Sequence, residues 1–262
     1  MAEINKHAAG SFCWIELNTT DAQAAKQFYT SIFDWEPVDM PVAPGMVYTI
    51  MRIGGRDVAA LCEMMPEQQQ SGMPAHWMTY VAVESADAAA QKAVELGGKQ
   101  IMLHTVGDAG RLAVLQDGQG AYFSVWQPGA NPGIGLNNEF GTLCWSELWT
   151  LDRLGATNFY GALFGWRTKA GAASAPNEYT EWQNGEQSIG GMLAITEEMG
   201  PVPPHWLPYF MVADCDATCG KAVAAGAAQC MAPMDIPGVG RFGVLRDPQG
   251  GTFAVIAVQM PA

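Results

Sequence analysis

The spacing of apolar residues changes from strand-like to helix-like and back again along the first part of the chain. Residues 12–18 form a mostly apolar run of strand length, which predicts a strand. Thr20 and Gln23 have the spacing of a capping box, which predicts that a helix begins there. Short strands are predicted near residues 35–40, 46–53 and 57–64, where Pro and Gly separate the apolar runs. The predicted helix carries one apolar stripe, formed by Ala25, Phe28, Tyr29, Ile32 and Phe33.

The same order of elements then begins again. Residues 76–83 predict a strand, and residues 86–96 predict an alanine-rich helix that ends at Gly97 and Gly98. Further strands are predicted near residues 100–104, 111–116 and 121–126. Each unit therefore has the order βαβββ, and two such units make up the first half of the chain.

The second half of the chain repeats the first. Cys13-Trp14-Ile15-Glu16-Leu17 returns as Cys144-Trp145-Ser146-Glu147-Leu148, a shift of 131 residues. Three further blocks return in the same order at nearly the same shift, namely Phe-Tyr-x-x-x-Phe-x-Trp, His-Trp and Gly-Arg-(x)5-Asp-x-Gln-Gly. Such a fixed long period indicates a tandem duplication. Because residues 128–138 are rich in Pro, Gly and Asn, we predict a domain at 1–127, a linker at 128–140 and a second domain at 141–262.

Composition restricts the classes of function. The formal net charge is −13, with no basic stripe, which argues against binding to nucleic acid or to anionic membranes. The chain lacks both an apolar run of membrane-spanning length and a secretory signal pattern, so we expect a cytoplasmic monomer or homodimer whose partner is a small-molecule ligand. The six cysteines are expected to be buried, reduced thiols and not structural zinc ligands, since paired C-x-x-C motifs do not occur.

The element order and the repeated motifs resemble the vicinal oxygen chelate superfamily, which includes glyoxalase I, bleomycin-resistance proteins and extradiol dioxygenases. The resemblance covers roughly residues 10–127 and 141–258, and the tandem form is similar to bacterial two-domain glyoxalase-like proteins. It implies an α+β fold of two tandem domains, each made of paired βαβββ units that form a curved, U-shaped mixed sheet. The concave face of each sheet would hold the ligand.

The resemblance also implies where a metal would be bound. The superfamily's metal-ligand positions on the first, fifth and last strands fall at Trp14, Met78 and Ser124 in the first half of this chain. In the second half they fall at Trp145, Leu207 and Ala254. None of these side chains is a ligand for a hard divalent metal, so we expect no cofactor. A divalent metal held by other residues is the alternative.

Two carboxylates are the candidate catalytic residues. Alternation along a strand places Trp14, Glu16 and Asn18 on one face, and the resemblance makes this the concave face. Glu16, and Glu147 in the second half, would then act as a general base or as an anchor for a cationic ligand. In the alternative interpretation these carboxylates are solvated at the mouth of the cleft or paired with an arginine.

Histidines and arginines also recur in both halves. His76 and His205 are possible proton carriers, or they cap the start of the fifth strand of each half. Arg111 and Arg241 open the seventh strand of each half and are candidates to clamp a ligand carboxylate, with an ordinary ion pair across the sheet as the alternative.

Large apolar side chains would complete the two clefts, either as ligand-binding groups or as ordinary core. Candidates in the first cleft are Trp14, Met78, Tyr80, Tyr122 and Trp126, and in the second Trp145, Trp206, Tyr209 and Phe253. Two hypotheses result. The first is a protein that binds an aromatic or amphipathic small molecule without the usual metal. The second is a glyoxalase-like lyase or a hydroxylase or dioxygenase that acts on a small organic substrate.

Overall fold

The protein contains two eight-stranded sheets with short helices between the strands. The structure is a computed structural model that describes residues 4–171 and 179–259. The α+β fold class with two tandem βαβββ pairs is confirmed. The strands of the first sheet are β1 (Phe12–Thr19), β2 (Glu36–Ala43), β3 (Met46–Ile53), β4 (Arg56–Glu63), β5 (His76–Ala82), β6 (Lys99–Val106), β7 (Gly110–Gln116) and β8 (Tyr122–Pro128).

The first strands of the two units lie side by side at the centre of the sheet. The strand order is β2-β3-β4-β1-β5-β8-β7-β6, with β1 antiparallel to β5 and parallel to β4. In this register Glu16 lies opposite Met78 on one side and Ala60 on the other. The centre of the sheet is thus the meeting point of the two units.

The second sheet repeats this order as β10-β11-β12-β9-β13-β16-β15-β14. Glu147 lies opposite Leu207 and Gly191, which are the equivalents of Met78 and Ala60. Its strands are β9 (Leu143–Thr150), β10 (Arg167–Ala170), β11 (Thr180–Asn184), β12 (Gln187–Ala194), β13 (His205–Met211), β14 (Ala228–Ile236), β15 (Gly240–Arg246) and β16 (Thr252–Val258).

Helices cover one face of each sheet. The helices are α1 (Ala22–Ile32), α2 (Pro66–Gln70), α3 (Ala86–Glu95), α4 (Arg153–Phe164) and α5 (Cys215–Ala224). The N-cap of α1 is Asp21, whose carboxylate accepts from the backbone N–H of Ala24, so the predicted capping box at Thr20 was wrong by one residue. Helix α2 was not predicted, and it contains no buried residue. Among the described residues, no helix is long and apolar enough to cross a membrane.

The helix-covered faces of the two sheets pack against each other. Phe33 and Trp35 of the first domain contact the ring of Phe210 in the second, at centroid distances of 5.2 and 5.6 Å. Phe253 contacts Tyr29 at 5.4 Å, and Trp206 contacts Phe12 at 5.4 Å. The expectation that Trp206 and Phe253 line the second concave cleft was therefore wrong, because alternation along β13 and β16 turns them into this core between the domains.

The segment between the sheets is packed against the first domain. Ile134 is fully buried, and its backbone N–H donates to the carbonyl oxygen of Cys13 at 2.8 Å. Leu136 is also buried, and the N–H of Gly135 donates to the carbonyl oxygen of Asp57. These contacts make residues 133–136 an ordered extension of the first domain, whereas the composition of this segment predicted a plain linker.

All six cysteines are free thiols. Cys13, Cys215 and Cys219 are buried, and burial raises the pKa of the Cys62 and Cys144 thiols to about 12. Cys230 is exposed, so the expectation of buried thiols does not hold for this residue.

Candidate functional site

A half-buried carboxylate, Glu16, lies at the centre of the helix-free face of the first sheet. The Tyr48 hydroxyl donates to its Oε2 at 2.6 Å, and the Tyr80 hydroxyl approaches Oε1 at 3.3 Å. The Asn18 side-chain amide is also 3.3 Å from Oε1. Trp14 donates its indole N–H to the Tyr48 hydroxyl at 3.0 Å, which fixes that hydroxyl to point at the carboxylate.

The second sheet contains the equivalent cluster around Glu147. The Tyr209 hydroxyl donates to its Oε1 at 3.0 Å, and the Trp149 indole N–H donates to the same oxygen at 2.7 Å. Tyr179 is a further hydroxyl donor to this carboxylate, and it accepts from the indole of Trp145 at 2.7 Å. Each cluster is built from residues of a single domain.

Burial sets the protonation of both clusters. It raises the pKa of Glu16 and of Glu147, while the hydrogen bonds from the surrounding hydroxyl, amide and indole groups oppose that rise. Burial also raises the pKa of Tyr48, Tyr80 and Tyr209, with the neighbouring carboxylates as the next cause. The tyrosines therefore keep their protons and act as donors toward the carboxylates.

A glycine next to Glu147 makes room for one of the tyrosines of the second cluster. Gly191 lies beside Glu147 in the sheet, and a Cβ added there would overlap the Tyr179 hydroxyl and approach the Trp145 indole nitrogen at 2.9 Å. The absence of a Cβ at Gly191 gives Tyr179 the space that it occupies over β12 in the second sheet. The first sheet has Ala60 at the equivalent position.

The remaining predicted ligand-binding residues of the concave face are close to Glu16. Met78 lies directly opposite Glu16 on the neighbouring strand β5. Trp14, Met78 and Tyr80 are each less than 10% exposed. Trp126 is equally buried but lies two residues further along β8 than Ser124, the neighbour of Tyr80. Its indole N–H donates to the carbonyl oxygen of Asn131, so Trp126 is tied to the segment between the domains.

His76 is the first residue of β5, and His205 is the first residue of β13. The Nδ1 atoms are 2.9 and 2.8 Å from the carbonyl oxygens of Pro74 and Pro203, and burial lowers the pKa of both imidazoles. This geometry corresponds to the capping alternative. His205 also packs on the ring of Trp149, at a centroid distance of 5.3 Å.

Arg111 and Arg241 lie on the helix side of the sheets, away from the carboxylate clusters. Arg111 makes a two-pronged ion pair with Asp87 of α3, at 2.7 and 2.9 Å. Arg241 pairs in the same way with Asp216 of α5 and also approaches Asp235 at 3.1 Å. Alternation along β7 and β15 explains this placement, since the neighbouring Leu112 shares the face of Trp126. The predicted arginine clamp in the cleft therefore does not form, and the ion-pair alternative does.

Sequence reasoning did not include Tyr48, Tyr179 and Trp149 among the site residues. The repeat itself carried a signal for the tyrosines, because Tyr48 and Tyr179 differ by the same 131 residues as Trp14 and Trp145. These two tyrosines have no sequence motif around them, however, and only the packing of the sheets brings Tyr48 to Glu16 and Tyr179 to Glu147.

Two cavities among the described residues lie away from the carboxylate clusters. One of about 400 Å³ opens between α1 and the rim of β2 and β3, beside the ion pair of Lys26 and Asp39. Another of about 270 Å³ lies at the boundary of the domains near Phe33 and Phe140. Within residues 4–171 and 179–259, no group of three or more His, Cys, Asp or Glu side chains is arranged to hold a metal ion.

Comparison with known protein families gives two matches. The sequence profile of the Glyoxalase/Bleomycin resistance protein/Dioxygenase superfamily matches residues 11–124, and that of a Glyoxalase-like domain matches residues 150–256.

Two kinds of relatives match almost the whole chain. The chain is 42% identical over 259 residues to "Putative glyoxylase CFP32" of Mycobacterium tuberculosis, with 98% of both proteins covered. It is 35% identical over 275 residues to "Anthracycline biosynthesis protein DnrV" of Streptomyces peucetius, with 98% of this chain and 96% of that protein covered.

Solved structures share the fold at low sequence identity. The Mn(II)-bound glyoxalase from Novosphingobium aromaticivorans superimposes with a TM-score of 0.65 at 14% identity, covering 95% of this chain and 82% of that one. The 2,3-dioxygenase LapB from Pseudomonas sp. KL28 gives 0.63 at 9% identity, covering 97% and 96%. At these identities the likeness concerns the fold.

Proposed function

The chain belongs to the Glyoxalase/Bleomycin resistance protein/Dioxygenase superfamily, and from this membership we propose that it binds an aromatic or amphipathic small molecule on a concave sheet face. One of the two carboxylates, Glu16 or Glu147, anchors the ligand, and the surrounding aromatic rings supply the apolar contact. The observation that carries this proposal is the cluster of one carboxylate, two tyrosine hydroxyls and one indole, which is built twice at the family's ligand-binding face.

The composition of the clusters supports an aromatic ligand. Around Glu16 the groups in contact are the aromatic side chains of Trp14, Tyr48 and Tyr80, and the two tyrosines direct their hydroxyls at the carboxylate. Such a site gains affinity from apolar burial and orientation from a few fixed polar groups. The relative DnrV is named as an anthracycline biosynthesis protein, which agrees with a polycyclic aromatic ligand.

The residues present do not fit the divalent metal that the fold family implies. Each cluster contains a single carboxylate, and its other polar groups are tyrosine hydroxyls, indoles and, beside Glu16, the amide of Asn18. Indole N–H groups cannot act as metal ligands, and a Mn²⁺ or Fe²⁺ site requires several oxygen or imidazole donors. We therefore assign no metal-dependent step to these clusters.

A second candidate function is catalysis by one of these carboxylates acting as a general base. Burial raises the pKa of both glutamates, which is the direction of shift that a general base working near neutral pH requires. The name of the relative CFP32 points in the same direction. A turnover assay with the hemithioacetal of methylglyoxal and glutathione tests this function separately from binding.

Equilibrium dialysis with naphthol, a two-ring phenol, tests the binding proposal. We expect the native protein to retain naphthol and the double variant Glu16→Gln/Glu147→Gln to bind it ten- to a hundredfold more weakly, in keeping with about 1.5–3 kcal/mol for a hydrogen bond to a charged group. Naphthalene, which lacks the hydroxyl, is the matched control and should bind both proteins alike. Circular dichroism melting must show that the variant is folded. Equal naphthol affinity of both proteins would contradict the anchor role.

A further inference from the structure

The two equivalent carboxylates differ in exposure. Glu147 exposes 5% of its surface and is buried, whereas Glu16 is half-buried. Because the two residues occupy equivalent positions on β1 and β9, the difference must come from their neighbours.

The neighbour two residues further along the strand differs in size. Asn18 follows Glu16, whereas Trp149 follows Glu147. The Trp149 indole lies over the carboxylate, is itself only 9% exposed, and is backed by the ring of His205. The small amide of Asn18 leaves the corresponding approach to Glu16 open.

The two carboxylates also differ in the hydrogen bonds that they already accept. Oε1 of Glu147 accepts two bonds of normal length, 2.7 Å from Trp149 and 3.0 Å from Tyr209. Among the described residues, the only donors near Oε1 of Glu16 are the Asn18 amide and the Tyr80 hydroxyl, both at 3.3 Å. Since N–H donors normally approach to about 2.7–3.2 Å and O–H donors to about 2.5–3.0 Å, Oε1 of Glu16 keeps capacity for a further donor.

A covering segment closes the second concave face. The half-buried Ile195, Met199 and Val202 pack against an apolar cluster that contains Trp149 and Leu207. In the first domain the corresponding position after β4 is taken by α2, which has no buried residue. The second face is thus filled and covered by its own side chains.

We propose that the first domain holds the ligand site, where a hydroxyl or amine of the aromatic ligand donates to Oε1 of Glu16, and that Trp149 closes the second. This assignment rests on the proposed function and adds which carboxylate is used. Asn18 and Trp149 are the residues that decide access, and the Glu147 cluster stabilises the second domain.

Dialysis with naphthol tests the choice of domain. We expect Asn18→Trp and Glu16→Gln each to weaken naphthol binding at least tenfold, while Glu147→Gln binds like the native protein. Loss of naphthol binding in Glu147→Gln with retention in Glu16→Gln would overturn the assignment. Failure of the native protein to bind naphthol would instead contradict the proposed function.

Carboxyl labelling tests access without any ligand. The protein is treated with a carbodiimide and glycine ethyl ester, and the modified glutamates are identified by mass spectrometry. We expect Glu16 to be labelled and Glu147 to be protected, with Asn18→Trp protecting Glu16 and Trp149→Asn exposing Glu147. Equal labelling of both residues in the folded native protein would refute the inference, whatever the outcome with naphthol and even if a variant fails to fold.

Discussion

The Tyr29 hydroxyl of the first domain donates to Oδ2 of Asp247 in the second at 2.8 Å, inside the core between the domains. Tyr160 makes the equivalent bond to Asp117 in the opposite direction, at 2.9 Å. The indoles of Trp77 and Trp206 donate to these two hydroxyls at 3.0 Å. Three of the four repeated sequence blocks therefore meet at the domain interface, where each half binds the other.

Removing one of these bonds should destabilise both domains together. In Tyr29→Phe the buried Asp247 loses its hydroxyl donor and the Trp77 indole loses its acceptor. We expect the free energy of unfolding to fall by about 1–3 kcal/mol, the usual penalty for a buried polar group without a partner. Urea denaturation followed by tryptophan fluorescence measures it.

Tyr122→Phe is the control for this experiment, because Tyr122 is 39% exposed. Tyr160→Phe should reproduce the loss seen in Tyr29→Phe. If Tyr29→Phe unfolds at the same urea concentration as the control, the bond to Asp247 contributes nothing to the domain interface.

Tandem duplication, strand positions and fold class could be predicted from the sequence because they depend on local spacing and on repetition. β3 was predicted at the residues observed, and β1 was predicted to within one residue. The roles of the motifs could not be predicted, because Tyr29 and Asp247 are 218 residues apart and meet only through packing of two sheets.

The same limit applies to the candidate site. Alternation along β1 placed Trp14 and Glu16 together, and the structure keeps them on one face. Tyr48 and Arg111 required knowledge of the sheet register and of which face the helices cover. Arg111 is adjacent in sequence to Leu112, which lies on the face of Trp126, but its own side chain points to the helix side and pairs with Asp87. A shift of one residue along a strand reverses the side-chain direction.

Glu147 should make stability depend on pH in a defined direction. Because burial raises its pKa in the folded protein, the folded state holds a proton that the unfolded state has lost above the ordinary glutamate pKa of about 4.3. Its contribution to stability is therefore present at low pH and is lost as pH rises from that value toward the raised pKa.

Comparison of Glu147→Gln with the native protein isolates this effect. The stability of Glu147→Gln relative to native should increase as the pH rises above the ordinary glutamate pKa of about 4.3, because the variant lacks the titrating group. The exposed Glu198→Gln provides the baseline in the same urea titrations. A relative stability of Glu147→Gln that decreases with pH would show that the carboxylate is stabilised in its charged form.

Metal content is a further test. The resemblance implies that the family's metal positions fall at Trp14, Met78 and Ser124 and at Trp145, Leu207 and Ala254, so we expect the purified protein to carry no stoichiometric Mn, Fe, Ni or Zn. Elemental analysis before and after dialysis against a chelator measures this. About one tightly held metal ion per domain would require ligands outside the two carboxylate clusters.

Arg111 and Arg241 should be dispensable for ligand binding. Both lie on the helix side and pair with exposed aspartates, so Arg111→Ala and Arg241→Ala should leave naphthol affinity unchanged. They should also change stability little, because exposed ion pairs are screened by solvent. A tenfold or greater loss of naphthol affinity in a folded arginine variant would return these residues to the binding site.

Tyr48 links the aromatic wall of the first cluster to its carboxylate, since its hydroxyl accepts from Trp14 and donates to Oε2 of Glu16. This donor opposes the rise in the pKa of Glu16 caused by burial. In Tyr48→Phe the pKa of Glu16 should therefore rise further. A ligand hydroxyl binds best to the ionised carboxylate, so the midpoint of naphthol binding against pH should move upward. Calorimetric titrations below the pKa of naphthol measure that midpoint in the variant and in the native protein. A purely structural role for Tyr48 would lower the melting temperature and leave the midpoint where it is in the native protein.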